Sequence, residues 1–266
     1  MTRQAYYKHY HRAERRRARE KLIVELVLSI RKYLPRLGGR KLRHLVSHEL
    51  KGHGYQCPGR DRFFSILRAH GLLLERRKAC FPRTTYSGHN YAIQPNLLKD
   101  LVLTRPEQAL VADITYLRVW GEFAYLFLVT DAYSRKILGF ALTQTLAHDG
   151  AIAALRMALE AIGDSQGVVH HSDRGVQYCC HEFLDELRSH DMCSSMTDAD
   201  HCAQNALAER MNGILKNEFY LDAHFLRSAD AAKAVREAVA LYNEVRPHGS
   251  LEMETPQKYH SQALAA

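Results

Sequence analysis

Three acidic residues in this 266-residue chain sit where a carboxylate is costly. Asp113 lies between Ala112 and Ile114 in an alternating apolar stretch. Asp173 ends the apolar run Val168–Ser172, just before Arg174 and Gly175. An ionised carboxylate in or at the end of a buried strand is unfavourable unless it is paired or metal-bound. Two such acids on neighbouring strand ends repel each other and ask for a cation, and hard oxygen ligands suit Mg²⁺ or Mn²⁺. Glu209 is the third candidate. Asn205, Glu209, Asn212 and Lys216 recur at spacings of 4, 3 and 4, one polar stripe on a helix whose other side carries Leu207, Met211, Ile214, Leu215 and Phe219. Three acids from two strands and a helix could clamp two metal ions about 4 Å apart, the geometry for in-line phosphoryl transfer. Lys216, two turns beyond Glu209, could then hold a phosphate. Each acid taken alone also has an ordinary reading: Asp113 as a satisfied strand acid, Asp173 as part of a turn, Glu209 as a surface residue.

The elements that must position these acids follow from periodicity. Residues 108–119 alternate, 123–130 are almost wholly apolar and aromatic, and 136–143 form a third strand. Tight turns at Gly121 and at Ser134-Arg135 join them into an antiparallel meander. A helix is predicted over 147–162, a strand over 168–172, a helix over 181–190 and a strand over 193–197. Helices over 205–219 and 228–245 follow. A meander followed by alternating strands and helices predicts an α/β fold, a mixed five-stranded sheet with helices on its faces. Trp120 and Tyr125 read as sheet packing and edge residues, and Asp131 as a structural acid at a turn.

Charge divides the chain. Residues 1–100 carry 23 basic and 7 acidic side chains, net +16, whereas 101–266 carry 14 basic and 22 acidic, net −8. A basic arm on an acidic body points to a polyanion partner, nucleic acid before membrane. Three basic helices are predicted in the arm. They cover 11–30, 40–50 and a third that begins at Pro58 and ends at Gly71, a small all-α, helix-turn-helix-like module. The domains expected are 1–75 for DNA binding, 76–104 as linker and 105–262 as the α/β body. No apolar run approaches the roughly 18 residues of a membrane span. No phosphate-binding glycine loop is present, and the six cysteines show no regular spacing. They read as reduced thiols of a cytoplasmic protein, with Cys179, Cys180, Cys193 and Cys202 in the core or half-buried.

With 35 residues between Asp173 and Glu209, the three acids resemble the Asp, Asp-35-Glu pattern of retroviral-integrase-like transposases. The surrounding blocks point the same way: Asp113–Leu117, Thr130–Ile137, His171–Tyr178, Asn205–Lys216 and Tyr242–His248 through Leu251. Together they resemble the second-frame, OrfB-type catalytic protein of bacterial insertion sequences of the IS-three family. The resemblance implies a ribonuclease-H-like core, Asp113, Asp173 and Glu209 as catalytic and metal-binding triad, and two Mg²⁺ or Mn²⁺ ions per site. It also implies cut-and-join chemistry on the element's own DNA ends. One departure is Gln204, where the family often has Asp.

The expected DNA contacts are Asn205, Arg210 and Lys216 beside the core, and Arg40, Lys41, Arg60, Arg62, Arg76, Arg77 and Lys78 in the arm. The expected partners are double-stranded DNA of the element ends and target, and further copies of the chain, since two ends must be joined. An upstream OrfA-type protein or fusion is expected too, and the site of action is the bacterial cytoplasm at the nucleoid. A hydrolytic metal nuclease and a non-catalytic DNA-binding regulator are the alternatives. His171 could orient a ligand or be an ordinary strand-end histidine, and Arg246 could pack or touch DNA.

Overall fold

The computed structural model describes residues 2–75, 91–198 and 205–266. Arg76, Arg77, Lys78, Cys80, Cys202 and Gln204 lie outside them. The chain divides into two compact units, Met1–Ala79 and Cys80–Ala266.

The N-terminal unit holds α1 (Arg3–Arg31), α2 (Gly39–Gly52) and α3 (Arg60–Ala69). α1 begins eight residues earlier than expected, because nothing before His11 breaks a helix and Thr2 caps it, its hydroxyl accepting from Ala5 N at 3.3 Å. Only its C-terminal part is anchored: Ile23, Val27 and Ile30 are buried at i, i+4, i+7 spacing. They share the unit with buried Leu42, Val46 and Leu50 of α2 and Phe63, Ile66 and Leu67 of α3. Pro58 was expected in the first turn of the third helix. It precedes that helix, and Gly59 is the cap. The connector 53–59 between α2 and α3 is longer than a three- to four-residue helix-turn-helix turn.

The second unit is the mixed sheet. Its strands are β1 (Ala109–Val119), β2 (Glu122–Asp131), β3 (Ile137–Thr143), β4 (Val169–Ser172), β5 (Cys193–Met196) and the two-residue β6 (His224–Phe225). The order is β3-β2-β1-β4-β5, with β6 pairing the far end of β1. The meander pairs are antiparallel and the β1–β4, β4–β5 and β1–β6 pairs parallel. One face is covered by α4 (His148–Ala161) and α6 (His181–Ser189), which follow or precede the short α5 (Val176–Cys179). That core includes Leu110, Ala112, Ile114, Phe127, Leu155 and Phe183. Gly139 allows α4 to approach: a Cβ there would lie 2.0 Å from the Ala154 carbonyl oxygen. α7 (Ala206–Glu218) and α8 (Ser228–Glu244) cover the other face around Leu117, Leu126, Leu128, Met211 and Tyr242. A 3-10 turn, Gly249–Leu251, and α9 (Pro256–Leu264) complete the unit.

The segment 91–104, expected as linker, belongs to this second unit. Pro95 O accepts from Met196 N at 3.3 Å, Leu97 N donates to Ser195 Oγ at 2.9 Å, and Leu98, Leu101 and Leu103 pack against Ala109, Val111 and Val169. Apolar side chains at the three leucines hold it where composition alone suggested a free crossing. Among the described residues no helix is long and apolar enough to cross a membrane.

Candidate active site

Sheet register sets the first two acids. β1 and β4 run parallel with Ala109 opposite Val169, Leu110 opposite His170 and Val111 opposite His171. Two residues further along the same register stand Asp113 and Asp173. Neighbouring strands are about 4.8 Å apart, so the two carboxylates project from adjacent chains at the carboxyl end of β4. Asp173 Oδ1 accepts from Gly175 N at 2.9 Å, which turns the chain sharply into α5.

The third acid is delivered by a gap. β4 pairs with β1 only over 109–111 and β6 only over 118–119, so among the described strands residues 112–117 have no partner on that edge. The polar stripe of the α7 region fills it. Asn205 Nδ2 donates to Ala112 O at 3.0 Å, Asn212 Nδ2 donates to Asp113 Oδ2 at 2.7 Å, and Lys216 Nζ lies 3.7 Å from the Tyr116 ring centre. Glu209 stands on the same face between the two asparagines, exposed, with its backbone fixed on both sides.

The electrostatics of the acids are set by burial and by one another. Asp113 is pushed up to about 7, first by burial, then by the Asp173 charge, with Glu209 adding to the rise and the Asn212 hydrogen bond opposing it. Lys216 is brought down to about 8 by burial, against the pull of Asp113. Tyr178, buried beside Asp173 and Asp113, is held protonated far above its ordinary range by burial and then by those charges. The oxygens of Asp113, Asp173 and Glu209 are not gathered within 4.8 Å of one another. Among the described residues only His148, Cys180 and Glu182 are so close.

The same architecture recurs in relatives. The chain matches the family described as integrase core domain over residues 104–202, and again over 190–256. It is 31% identical over 271 residues to an uncharacterized 31 kDa protein of insertion element IS600 from Shigella sonnei, covering 99% of this chain and 97% of that one. It is also 31% identical over 222 residues to transposase InsF of insertion sequence IS3fB from Escherichia coli, covering 83% and 76%. The chain belongs to the IS-three family of insertion-sequence transposases. The fold is also similar to that of a chain in a simian T-cell lymphotropic virus intasome, with a TM-score of 0.51, 20% identity, and 80% and 70% of the two chains covered.

Other expected residues of this transposase fall in different surroundings. Asn205 was expected to contact DNA. It is 3% exposed and its amide is spent on the β1 backbone, so it positions α7. Arg210 is exposed on α7, while Lys216 is buried against Tyr116. Arg40, Arg60 and Arg62 are exposed and Lys41 half-buried. Arg60 pairs with Asp61 at 3.1 Å and Arg62 with Glu20 at 2.8 Å, exposed pairs that cost little to exchange. A groove of about 880 Å³ is lined by Arg12, Arg15, Arg16, Arg19, His53 and Tyr55, and the clustered arginines of α1 are its only mark in the sequence. His171 is buried, its Nδ1 2.8 Å from Ser195 Oγ, which ties β4 to β5. Arg246 packs: it is 1% exposed and pairs with both Glu218 oxygens at 2.7 and 2.8 Å. Cys57, Cys179, Cys180 and Cys193 are free thiols, and Cys193 is exposed rather than semi-buried. Trp120, expected to pack on the sheet, is 76% exposed.

Proposed function

We propose that the chain is a polynucleotidyl transferase that nicks the ends of its insertion sequence and joins the freed 3′ hydroxyls to target DNA. The observation that carries this reading is the shared register of Asp113 and Asp173 with Glu209 bracketed beside them. An all-oxygen donor set with one carboxyl held near neutrality fits Mg²⁺ or Mn²⁺. Two ions held by Asp113, Asp173 and Glu209 would supply Lewis-acid stabilisation of the scissile phosphate.

The protein's own groups do the positioning. Asn212 orients Asp113 and favours its ionised form, and Asn205 fixes the start of α7 so that Glu209 faces the same place. Lys216 holds positive charge beside Asp113 and is suited to a non-bridging phosphate oxygen. Residues 1–75 grip double-stranded DNA, with Arg40, Lys41, Arg60, Arg62 and the arginine groove of α1 neutralising phosphates, and 105–262 carry out the chemistry. Joining two ends requires more than one copy on the DNA.

The test is an incubation of the protein with a labelled element-end duplex, target plasmid and Mg²⁺ or Mn²⁺. Strand-transfer products that vanish with Asp113→Asn are expected. Cleavage without joining would replace this reading with a hydrolytic nuclease, and metal-independent binding alone would replace it with a DNA-binding regulator.

A further inference from the structure

The far end of β1 carries a feature that the carboxylate chemistry does not use. Val119 pairs with Glu122, so Trp120 and Gly121 form a two-residue hairpin turn with φ values of 52° and 83°. Both residues are in the left-handed region, where this turn favours Asn followed by Gly. A tryptophan there is sterically unfavourable. It is also the only tryptophan of the chain and is 76% exposed. The turn is held firmly, since Trp120 N donates to Phe225 O at 2.8 Å and β6 pairs with Arg118 and Val119. Burial in the fold therefore does not account for the indole.

Its surroundings indicate what covers it. Phe123 is 48% exposed and meets the Tyr116 ring edge-on at 5.0 Å. Lys216 Nζ sits over that same Tyr116 ring. Arg118 is exposed, with Nη1 3.0 Å from His224 Nε2. Aromatic faces interleaved with cations are the chemistry that receives nucleobases and phosphates together, and they lie on the strand that carries Asp113, with Tyr116 and Arg118 on the face opposite to its side chain.

We propose that Trp120 stacks on a base of the DNA bound at the carboxylate site, with Arg118 on the neighbouring phosphate. This rests on the reading of the chain as a DNA-cutting enzyme. Seven residue steps of extended strand lead from Asp113 to Trp120, about 23 Å at the usual rise. At about 3.4 Å per nucleotide that is about seven nucleotides from the scissile phosphate. With β1 lying along the duplex, the hairpin sets how far from the cut the contact falls, and an inserted ring there kinks or unstacks one step.

Because Trp120 is the only tryptophan, its fluorescence reports this contact directly. Full-length protein is titrated with fluorescein-labelled element-end duplex in Ca²⁺, with anisotropy reporting binding and tryptophan emission reporting the hairpin. Quenching and protection from acrylamide in step with the anisotropy rise are expected. Trp120→Asn, which suits the turn and preserves the hairpin, weakens binding about tenfold, and Trp120→Phe restores most of it. In duplexes carrying 2-aminopurine at successive positions, the emission change peaks about seven nucleotides from the cut. An anisotropy rise with unchanged tryptophan emission overturns the stacking contact while leaving DNA binding intact. No anisotropy rise overturns both readings. Acrylamide protection without DNA, together with a dimer in sedimentation, assigns the hairpin to a contact between copies and also overturns the proposal.

Discussion

Two groups of acids in one sheet are treated in opposite ways. Asp131, at the end of β2 opposite Leu110, is wholly buried, and its oxygens accept from Glu107 N at 2.7 Å, Ser134 N at 2.5 Å and Ser134 Oγ at 2.6 Å. Ser134 Oγ in turn lies 2.9 Å from His260 Nδ1, and His260 Nε2 lies 3.2 Å from Glu107. That carboxylate is saturated with donors and closes a turn. Asp113 receives the Asn212 side chain and a backbone hydrogen bond at Ile114, and faces the negative charge of Asp173 and Glu209. The first acid is surrounded by donors, whereas the second shares its surroundings with two further acids, the arrangement that perturbed functional carboxylates show.

The sharpest way to break this contrast is exchange of each acid. Asp113→Asn should lower strand transfer by roughly 1000-fold while thermal stability is unchanged or higher, since a repelled charge is removed. A stable variant that keeps more than a tenth of the activity would refute the division. Asp131→Ala should do the reverse. It leaves three buried donors unmatched and should cost about 3 kcal/mol in a denaturant titration, with strand transfer per folded molecule little altered.

Proton linkage sharpens the comparison further. The folded protein holds the Asp113 proton up to about pH 7, whereas the unfolded chain releases it near the ordinary aspartate value of 3.8. The native state therefore binds more protons between these limits, and metal-free stability should fall as pH rises through that window, by about 1–2 kcal/mol after allowance for partial solvent screening. Asp113→Asn should flatten this slope, and saturating Mg²⁺ should offset it most at the alkaline end. A slope that persists in Asp113→Asn would place the titration elsewhere. The smallest effect is expected from Asn212→Ala. Without that donor the Asp113 carboxyl should rise further, and activity at neutral pH should fall about tenfold, recovering as pH increases. A loss independent of pH would mean that Asn212 only supports the helix.

Much of this was legible in the sequence because the acids interrupt strongly patterned segments. The alternation around Asp113, the apolar run before Asp173 and the 4-3-4 polar stripe ending at Lys216 each mark a face. The roles along that stripe were less legible. Asn205 looks like a surface contact, and Lys216 like a solvent-exposed one, until the unpaired edge of β1 is known, and that edge exists only because β4 stops short. The two-residue β6 forms because β1 offers it an edge, so no local pattern announces it. α9 did carry a signal, with Thr255 as cap and Pro256 in the first turn, but it buries only Pro256 and His260. Asp131 was read correctly as structural, yet its link to His260 spans 126 to 129 positions of chain and has no sequence periodicity.

The shared register of β1 and β4 also constrains how the gene can change length. Between Val111 and Asp113 a single inserted or deleted codon would rotate the acid to the α4 side of the sheet, because strand side chains alternate at every residue. In the turn at Gly163–Gly167, which separates α4 from β4, the same event alters only a loop. In-frame indels recovered from active copies of the element should therefore cluster in such connections and be missing from the few codons that keep Asp113 and Asp173 abreast.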